Sequence, residues 1–247
     1  MSGHSKWATT KRKKAKIDSA RAKVFNRIIR ELTVSARMGG SDPEGNPRLR
    51  AAIIKAKAAN MPAKNIETAV AKGAGELEGV QYAEITYEGY GPAGTAIMVD
   101  TMTDNRVRTV ADIRHIFSKA GGNMAAEGAV GWMFKSKGVI TLAKDAIGED
   151  ALFELVTDAG AEDLDSAGSE YEIKCEPDKF PGLVDTLQKK GLQPLTSDVA
   201  KLADNMVKVS GEDAEKVLRL LEALDDHDDV QNVHTNADFD QKDLEAL

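Results

Sequence analysis

The residues that could carry out catalysis or bind a metal are few and widely spaced. Histidine occurs at positions 4, 115, 227 and 234, and no pair has the His-x-x-x-His spacing that places two ligands on one helix face. Cys175 is the only cysteine and has no local partner for metal binding. Neither a nucleophile-elbow motif nor a P-loop is present. The sequence therefore predicts no catalytic residue, no metal and no cofactor, and favours a protein that is not an enzyme.

One glycine-rich segment, Gly89-Tyr90-Gly91-Pro92-Ala93-Gly94, matches the dinucleotide-binding pattern G-x-G-x-x-G letter for letter. That pattern holds a pyrophosphate only where a strand precedes it and a helix follows it. Here the residues that follow, Thr95 to Val99, favour a strand. We therefore interpret the segment as the loop of a β-hairpin.

Two arginines, Arg106 and Arg108, fall in the first turn of a predicted helix. Free backbone N–H groups together with two guanidinium groups could bind an anion such as phosphate there. The alternative is pairing within the chain, of Arg108 with Asp112 and of Arg106 with Asp104. The sequence favours this alternative over the anion site.

Four aspartates surround His227, at positions 225, 226, 228 and 229. They lack the ligand spacing of an EF-hand loop, so they do not predict a calcium site. We interpret this acidic turn as a solvated helix end.

Basic residues are concentrated at the amino end. Ten of the first thirty residues are Lys or Arg, and only Asp18 opposes them. Trp7 adds a ring that could stack on a base or wedge into a groove. A solubilising face or a mobile tail is the alternative, but a solvated face usually mixes both signs of charge. We predict a nucleic-acid-binding stripe that continues onto the exposed face of the first helix, includes Arg21, and makes its contacts through Lys6, Trp7, Lys11, Arg12, Lys13, Lys14, Lys16, Lys23, Arg27 and Arg30.

The whole chain is nevertheless acidic, with a net charge of −7 over 247 residues. Residues 1–78 contain 17 Lys or Arg against 7 Asp or Glu, a net charge of +10, whereas residues 79–247 contain 16 against 33, a net charge of −17. Such segregation bears on partners rather than on folding. The single cysteine, the lack of an apolar leader and the lack of a long apolar run predict a cytoplasmic protein that does not associate with membranes.

The elements that must position these residues change type along the chain. Apolar residues recur at helical spacing from Val24 to Ala36, and further helices are predicted from Asn46-Pro47 and from Pro62 to a stop at Gly73. From residue 79 the pattern becomes β-β-α-β, with its last strand near Val130–Phe134. Residues 137–203 follow the ferredoxin-like order β-α-β-β-α-β.

A β-α-β segment remains at 206–238, and it cannot bury a core alone. We therefore predict that it folds back onto the β-β-α-β unit. The predicted fold class is α+β: an N-terminal helical bundle followed by two ferredoxin-like α/β domains, one inserted in the other. The domains are a basic helical domain at 1–78, a discontinuous α/β domain at 79–134 plus 206–238, and an inserted ferredoxin-like α/β domain at 135–205.

Five separate motifs also resemble those of the YebC-like family and occur in its order along nearly the whole chain. They are Gly3-His4-Ser5-Lys6-Trp7, Asp42-Pro43-Glu44-x-Asn46-Pro47-Arg48-Leu49-Arg50, Asn60-Met61-Pro62, Tyr87-Glu88-Gly89-Tyr90-Gly91-Pro92 and Thr103-Asp104-Asn105-Arg106. The resemblance implies a helical N-terminal domain, two α/β domains with one inserted in the other, and a DNA-binding probable transcriptional regulator without enzymatic activity. A mitochondrial branch of this family activates translation, and bacterial relatives are linked to the ribosome.

The leading hypothesis is a cytoplasmic, non-enzymatic DNA-binding regulator of transcription whose basic domain contacts phosphates. The acidic α/β domains would then pack, form a homodimer or bind protein partners. A translation factor that binds ribosomal or transfer RNA is the second hypothesis, because the same cations suit either polyanion. A third, a metabolite-binding or hydrolytic enzyme, would require a ligand between the two α/β domains.

Overall fold

The computed structural model describes residues 18–240, with side chains from residue 22 onward. Its first part consists of the helices α1 (Asp18–Gly39), α2 (Pro47–Ala58) and α3 (Ala63–Ala74). The start of α2 confirms the prediction from the sequence. The Leu49 N–H donates to the Asn46 side chain at 3.1 Å, and Pro47 occupies the first turn, where its missing N–H costs nothing.

Gly73 lies inside α3, so the predicted stop at this residue is wrong. A β-carbon at Gly73 would clash with the carbonyl oxygen of Thr33 on α1. The helix instead ends at Ala74, and Gly75 caps it in the left-handed conformation with φ of +80°. Gly73 therefore permits close approach of α1 and α3 beside a small apolar core, which contains Ile28, Leu32, Ala36, Leu49, Ala52, Ala56, Met61, Ile66 and Ala69.

Pairs of consecutive strands alternate with single helices in the rest of the described chain. They are β1 (Ala83–Tyr90), β2 (Ala96–Thr103), α4 (Arg106–Lys119), β3 (Asn123–Met124), β4 (Phe134–Ala143), α5 (Glu149–Asp158), β5 (Ala161–Asp165), β6 (Glu170–Cys175), α6 (Phe180–Lys189), β7 (Thr196–Ala203), β8 (Val207–Val209), α7 (Gly211–Asp225), β9 (Val230–Thr235) and β10 (Ala237–Phe239). A short 3₁₀ turn, Pro92–Gly94, joins antiparallel β1 and β2, so the glycine-rich segment is a hairpin loop.

The first sheet combines two distant stretches of chain in the order β3-β1-β2-β9. Strand β9 pairs antiparallel with β2. Ile97 and Val99 of β2 lie in one apolar cluster with Ile113 and Phe117 of α4 and with the leucines of α7. Strands β8 and β10 pair with each other in parallel and form a separate two-stranded sheet.

The second sheet has the order β5-β6-β4-β7, and every neighbouring pair is antiparallel. With α5 and α6 in the connections, this is the ferredoxin-like arrangement that the element order predicts. Its core is a separate cluster that includes Ile140, Leu152, Ile173 and Leu183. The predicted α+β fold class, with helices first and β-rich units after them, is confirmed.

The predicted strand near Val130–Phe134 is wrong. Residues Gly131–Met133 form a 3₁₀ turn, and a strand begins only at Phe134. The cause is the carboxylate of Glu88, which accepts the N–H groups of Val130 at 2.6 Å and Gly131 at 2.7 Å. These two N–H groups are thereby withdrawn from strand pairing.

Candidate nucleic-acid interface

The predicted nucleic-acid contacts fall into two groups. Most of them lie outside the described residues: Lys6, Trp7, Lys11, Arg12, Lys13, Lys14 and Lys16, as does the side chain of Arg21. The structure describes the remaining three, Lys23, Arg27 and Arg30, which follow one another along α1 at spacings of four and three residues. This spacing places them on one face of the helix.

That face of α1 lies against the last residue of α7 and the turn that follows it. Three ion pairs connect the two. Lys23 Nζ lies 2.8 Å from Asp226 Oδ1, Arg27 Nη2 lies 3.0 Å from Asp225 Oδ1, and Arg30 Nη1 lies 3.1 Å from Asp229 Oδ1. We call these three pairs the ion-pair ladder. The prediction that the stripe is exposed at these positions is wrong, since the three side chains are largely covered.

The ladder is graded from surface to interior. The exposed fraction of the acidic side chain falls from 81% at Asp226 to 13% at Asp225 and 2% at Asp229. The interpretation of residues 225–229 as a solvated helix end is therefore wrong for Asp225 and Asp229, which are buried, and holds for Asp226 and Asp228, which are exposed. Opposite charges on α1 and on this turn account for both corrections, because a buried carboxylate requires a charged or hydrogen-bonding partner.

Arg30 is the most firmly held of the three cations. It donates to the backbone carbonyl of Met102 at 3.1 Å and to that of Asp228, in addition to its ion pair with Asp229. Its guanidinium carbon also lies 5.3 Å from the centre of the Tyr82 ring, within the range of a cation–π contact. All of these partners belong to the α/β part of the chain.

Asp229 accepts hydrogen bonds from three further side chains. The hydroxyls of Thr109 and Thr103 donate to Oδ2 at 2.7 and 3.1 Å, and Arg108 Nη2 donates at 2.9 Å. Burial by itself would raise the pKa of Asp229, but the Thr109 and Arg108 hydrogen bonds and the charge of Arg30 outweigh it and hold the pKa below its usual value. Asp229 is thus an ionised group on which the two parts of the chain converge.

Arg108 of the predicted anion site is engaged within the chain. Its Nη2 atom lies 2.9 Å from both Asp104 and Asp229, and its N–H donates to Asn105, which caps α4. Pairing within the chain was the favoured alternative, but the partners differ from the expected ones. Asp112 lies instead 3.3 Å from His227 Nε2.

Arg106 has a different environment from Arg108. It is exposed and borders a shallow groove of about 330 Å³ that is also lined by Glu84 and Glu88 of β1 and by Glu127, which lies in the loop after β3. The groove is lined by three carboxylates and one arginine, and one of the carboxylates, Glu84, is paired with Arg48 at 2.6 Å.

A second polar cluster joins the inserted unit to the first sheet. Asp100 of β2 accepts from Thr86 and from Lys201 of β7, each at 2.7 Å, and lies 3.1 Å from His234 Nε2 of β9. Burial opposes ionisation of Asp100, but hydrogen bonds from His234 and Lys201 prevail, and its pKa lies far below the usual value. Sequence reasoning missed this cluster, because its contacts join residues as far apart in sequence as Asp100 and His234, which are separated by 134 residues.

The loop held by Glu88 presents an exposed indole ring. Trp132 follows Gly131 directly and is 69% exposed, while its N–H donates to the carbonyl of Ala129 at 3.2 Å. The only polar atom of this side chain is therefore satisfied inside the loop, and the apolar ring is presented to solvent.

Among residues 18–240, no helix combines the length and the apolar character that crossing a bilayer requires.

Comparison with known proteins places the chain in a family. The model of the TACO1/YebC protein N-terminal domain matches residues 5–76, and that of the TACO1/YebC second and third domain matches residues 82–237. A probable transcriptional regulatory protein of Koribacter versatilis is 52% identical over all of this chain and 99% of its own length. Another from Geobacter sulfurreducens is 49% identical over the full length of both chains.

A solved structure has the same fold. The crystal structure of a conserved hypothetical protein from Aquifex aeolicus superimposes with a TM-score of 0.84 at 43% identity, over 92% of this chain and 94% of that one. Together, the two domain models and the full-length relatives show that this chain belongs to the TACO1/YebC family.

Proposed function

We propose that this protein is a non-enzymatic nucleic-acid-binding regulator of transcription that acts on DNA through its amino-terminal basic segment. The relatives at about 50% identity are named probable transcriptional regulatory proteins, which supports a role in transcription. Binding would occur mainly through phosphates, because contacts of lysine and arginine with the phosphate backbone supply affinity and carry no sequence information.

The distribution of counter-charges carries this proposal. The acidic turn after α7 neutralises Lys23, Arg27 and Arg30 within the chain. Residues 1–21 hold seven further Lys or Arg and only one acidic residue, Asp18. Their net charge of +6 is suited to a polyanion, and the ladder fixes the helix that follows them onto the acidic α/β part of the chain.

Replacement of four cations of the basic segment tests this proposal. We expect the variant K11A/R12A/K13A/K14A to bind labelled duplex DNA at least tenfold more weakly than the native protein at low salt, as measured by fluorescence anisotropy. A matched variant, K119A/K189A/K190A/K208A, removes the same charge from exposed positions of the α/β part and should bind as the native protein does. Equal losses in the two variants would show that only overall charge matters and would contradict the proposal.

A translation factor that binds ribosomal or transfer RNA is the second candidate function, and the exposed Trp132 favours it. Unpaired RNA bases are recognised by stacking on aromatic rings, and such stacking contributes about 1–3 kcal/mol per base. If RNA is the target, W132A should weaken binding to single-stranded RNA about tenfold, and F153A, which removes another exposed aromatic ring, should not.

Sedimentation, crosslinking and sequencing of copurified nucleic acid distinguish DNA from RNA as the target. Migration of the protein with ribosomal particles through a sucrose gradient would favour RNA. Enrichment of promoter DNA after crosslinking, together with sequencing of the nucleic acid that copurifies with the protein, would favour DNA.

A further inference from the structure

The outermost pair of the ion-pair ladder differs from the inner two in ways that bear on phosphate binding. Asp226 is 81% exposed, and within the described part of the chain it accepts from Lys23 through a single contact of 2.8 Å. Asp225, in contrast, is nearly buried and binds Arg27 through both its side chain and its backbone carbonyl. The carboxylate of this pair is open to solvent, so the pair is weaker and more strongly screened by salt than the two inner pairs, and its partners exchange more easily.

The position of Lys23 in the chain adds a second observation. Lys23 is the first described cation after the basic segment, and it begins the face of α1 that continues with Arg27 and Arg30. A carboxylate and a phosphate oxygen compete for the same ammonium group, since both accept charge-assisted hydrogen bonds. Asp226 therefore occupies a position beside Lys23 that a phosphate of the nucleic acid could take. Lys23 itself lies just after the basic segment.

We propose that Asp226 is an internal competitor for phosphate at Lys23, and that this pair sets the inner limit of the nucleic-acid-binding surface. A polyphosphate backbone can take Lys23 from Asp226. It cannot take Arg27 or Arg30, because their acidic partners are covered and several acceptors hold each guanidinium group. The inference rests on the proposed function. It adds that the nucleic-acid-binding surface ends at Lys23 and that Asp226 weakens nucleic-acid binding there.

The substitution D226N tests this inference, because it removes the competing charge and leaves the size of the side chain unchanged. The matched control is E212Q, which removes one exposed, paired carboxylate at the opposite end of α7, about 21 Å away along the helix. Both variants change the net charge by the same amount. The third variant, K23A/D226N, also removes Lys23, the cation that D226N frees from its acidic partner.

The measurement is the affinity for a labelled duplex DNA, and separately for ribosomal RNA, between 50 and 300 mM salt. Relative to E212Q, we expect D226N to bind about two- to fivefold more tightly at the lowest salt, with a log–log salt slope steeper by up to about 0.9, the value for one additional phosphate contact. K23A/D226N should lose this gain. The inference is overturned if D226N and E212Q have the same affinity and slope, or if K23A/D226N keeps the gain.

The proposed function and the role of Asp226 are tested separately by these measurements. If the native protein binds neither polyanion at any salt concentration, the proposed function is wrong and the inference is overturned with it. If the native protein binds and D226N gains nothing, only the role of Asp226 is wrong. Because Asp226 is exposed and lies after the end of α7, D226N is expected to fold as the native protein does.

Discussion

Arg30 and Asp229 form an ion pair of 3.1 Å that joins the first helix of the basic domain to the turn before β9, across 199 residues of sequence. The carboxylate is almost completely covered, and Arg108, Thr103 and Thr109 complete its hydrogen bonds. One buried charge of the acidic part, together with the two outer pairs of the ladder, therefore holds α1 against the α/β part of the chain.

Neutralising this charge should destabilise the protein. We expect D229N to lower the free energy of unfolding by about 3 kcal/mol, because Arg30 loses its buried counter-charge and three donors lose part of their acceptor. D226N, which breaks the exposed pair at the other end of the ladder, should cost at most about 1 kcal/mol. Urea unfolding of the two variants gives both values. Similar losses in both would show that the ladder is not graded.

The stability of the protein should fall in acid. The pKa values of Asp229 and Asp100 are held below their usual range in the folded protein. A carboxylate with a lowered pKa contributes stability that is fully present above the pKa of the unfolded chain, about 4, and is lost as the pH falls toward the folded value.

Unfolding free energies measured from pH 7 to pH 3 test this expectation. They should be nearly constant above about pH 5 and decline below about pH 4. The double variant D100N/D229N should show a shallower decline, although it starts from a lower stability. An equally steep decline in this variant would assign the acid sensitivity to other carboxylates.

The carboxylate of Glu88 should control the order of the loop that carries Trp132. Its two oxygens accept the N–H groups of Gly128, Val130 and Gly131 at 2.6–2.9 Å. E88Q places an amide NH₂ where one acceptor stood, so we expect the three backbone amides to exchange hydrogen at least tenfold faster. Hydrogen exchange measures this directly, with E127Q on the same groove as the control. Unchanged protection in E88Q would mean that the loop is ordered by its apolar contacts instead.

The packing of α1 on α3 should depend on Gly73. G73A introduces a β-carbon that clashes with Thr33, and it should lower the free energy of unfolding by about 2 kcal/mol or more. The same substitution at Gly182, a helical position with no atom within 4 Å of the new β-carbon, should be neutral or stabilising by up to about 1 kcal/mol. Thermal unfolding of both variants gives the comparison, and a neutral G73A would show that the helices separate easily.

The sequence predicts the local parts of this fold well. Helical spacing identifies α1, the Asn46-Pro47 pair identifies the start of α2, and the alternation of elements identifies the ferredoxin-like unit. Each of these depends on residues that are neighbours along the chain. The pairing of β8 with β10 was not predicted, because three-residue strands carry little periodicity.

The candidate site was harder to predict, because its decisive contacts are distant in sequence. Periodicity places Lys23, Arg27 and Arg30 together on one face of α1, but it does not reveal what that face contacts. Their acidic partners lie about 200 residues later and look, by themselves, like a solvated turn. Only the return of β9 to β2 brings the two charge clusters together.

The salt dependence of nucleic-acid binding tests the central claim most directly. The affinity of the native protein for duplex DNA should fall linearly on a log–log plot, with a slope of about −0.9 for each phosphate that the basic segment contacts. K11A/R12A/K13A/K14A should flatten that slope by up to about 3.6, the value for four lost contacts. An affinity that does not change with salt, or a slope that these four substitutions leave unaltered, would contradict the account.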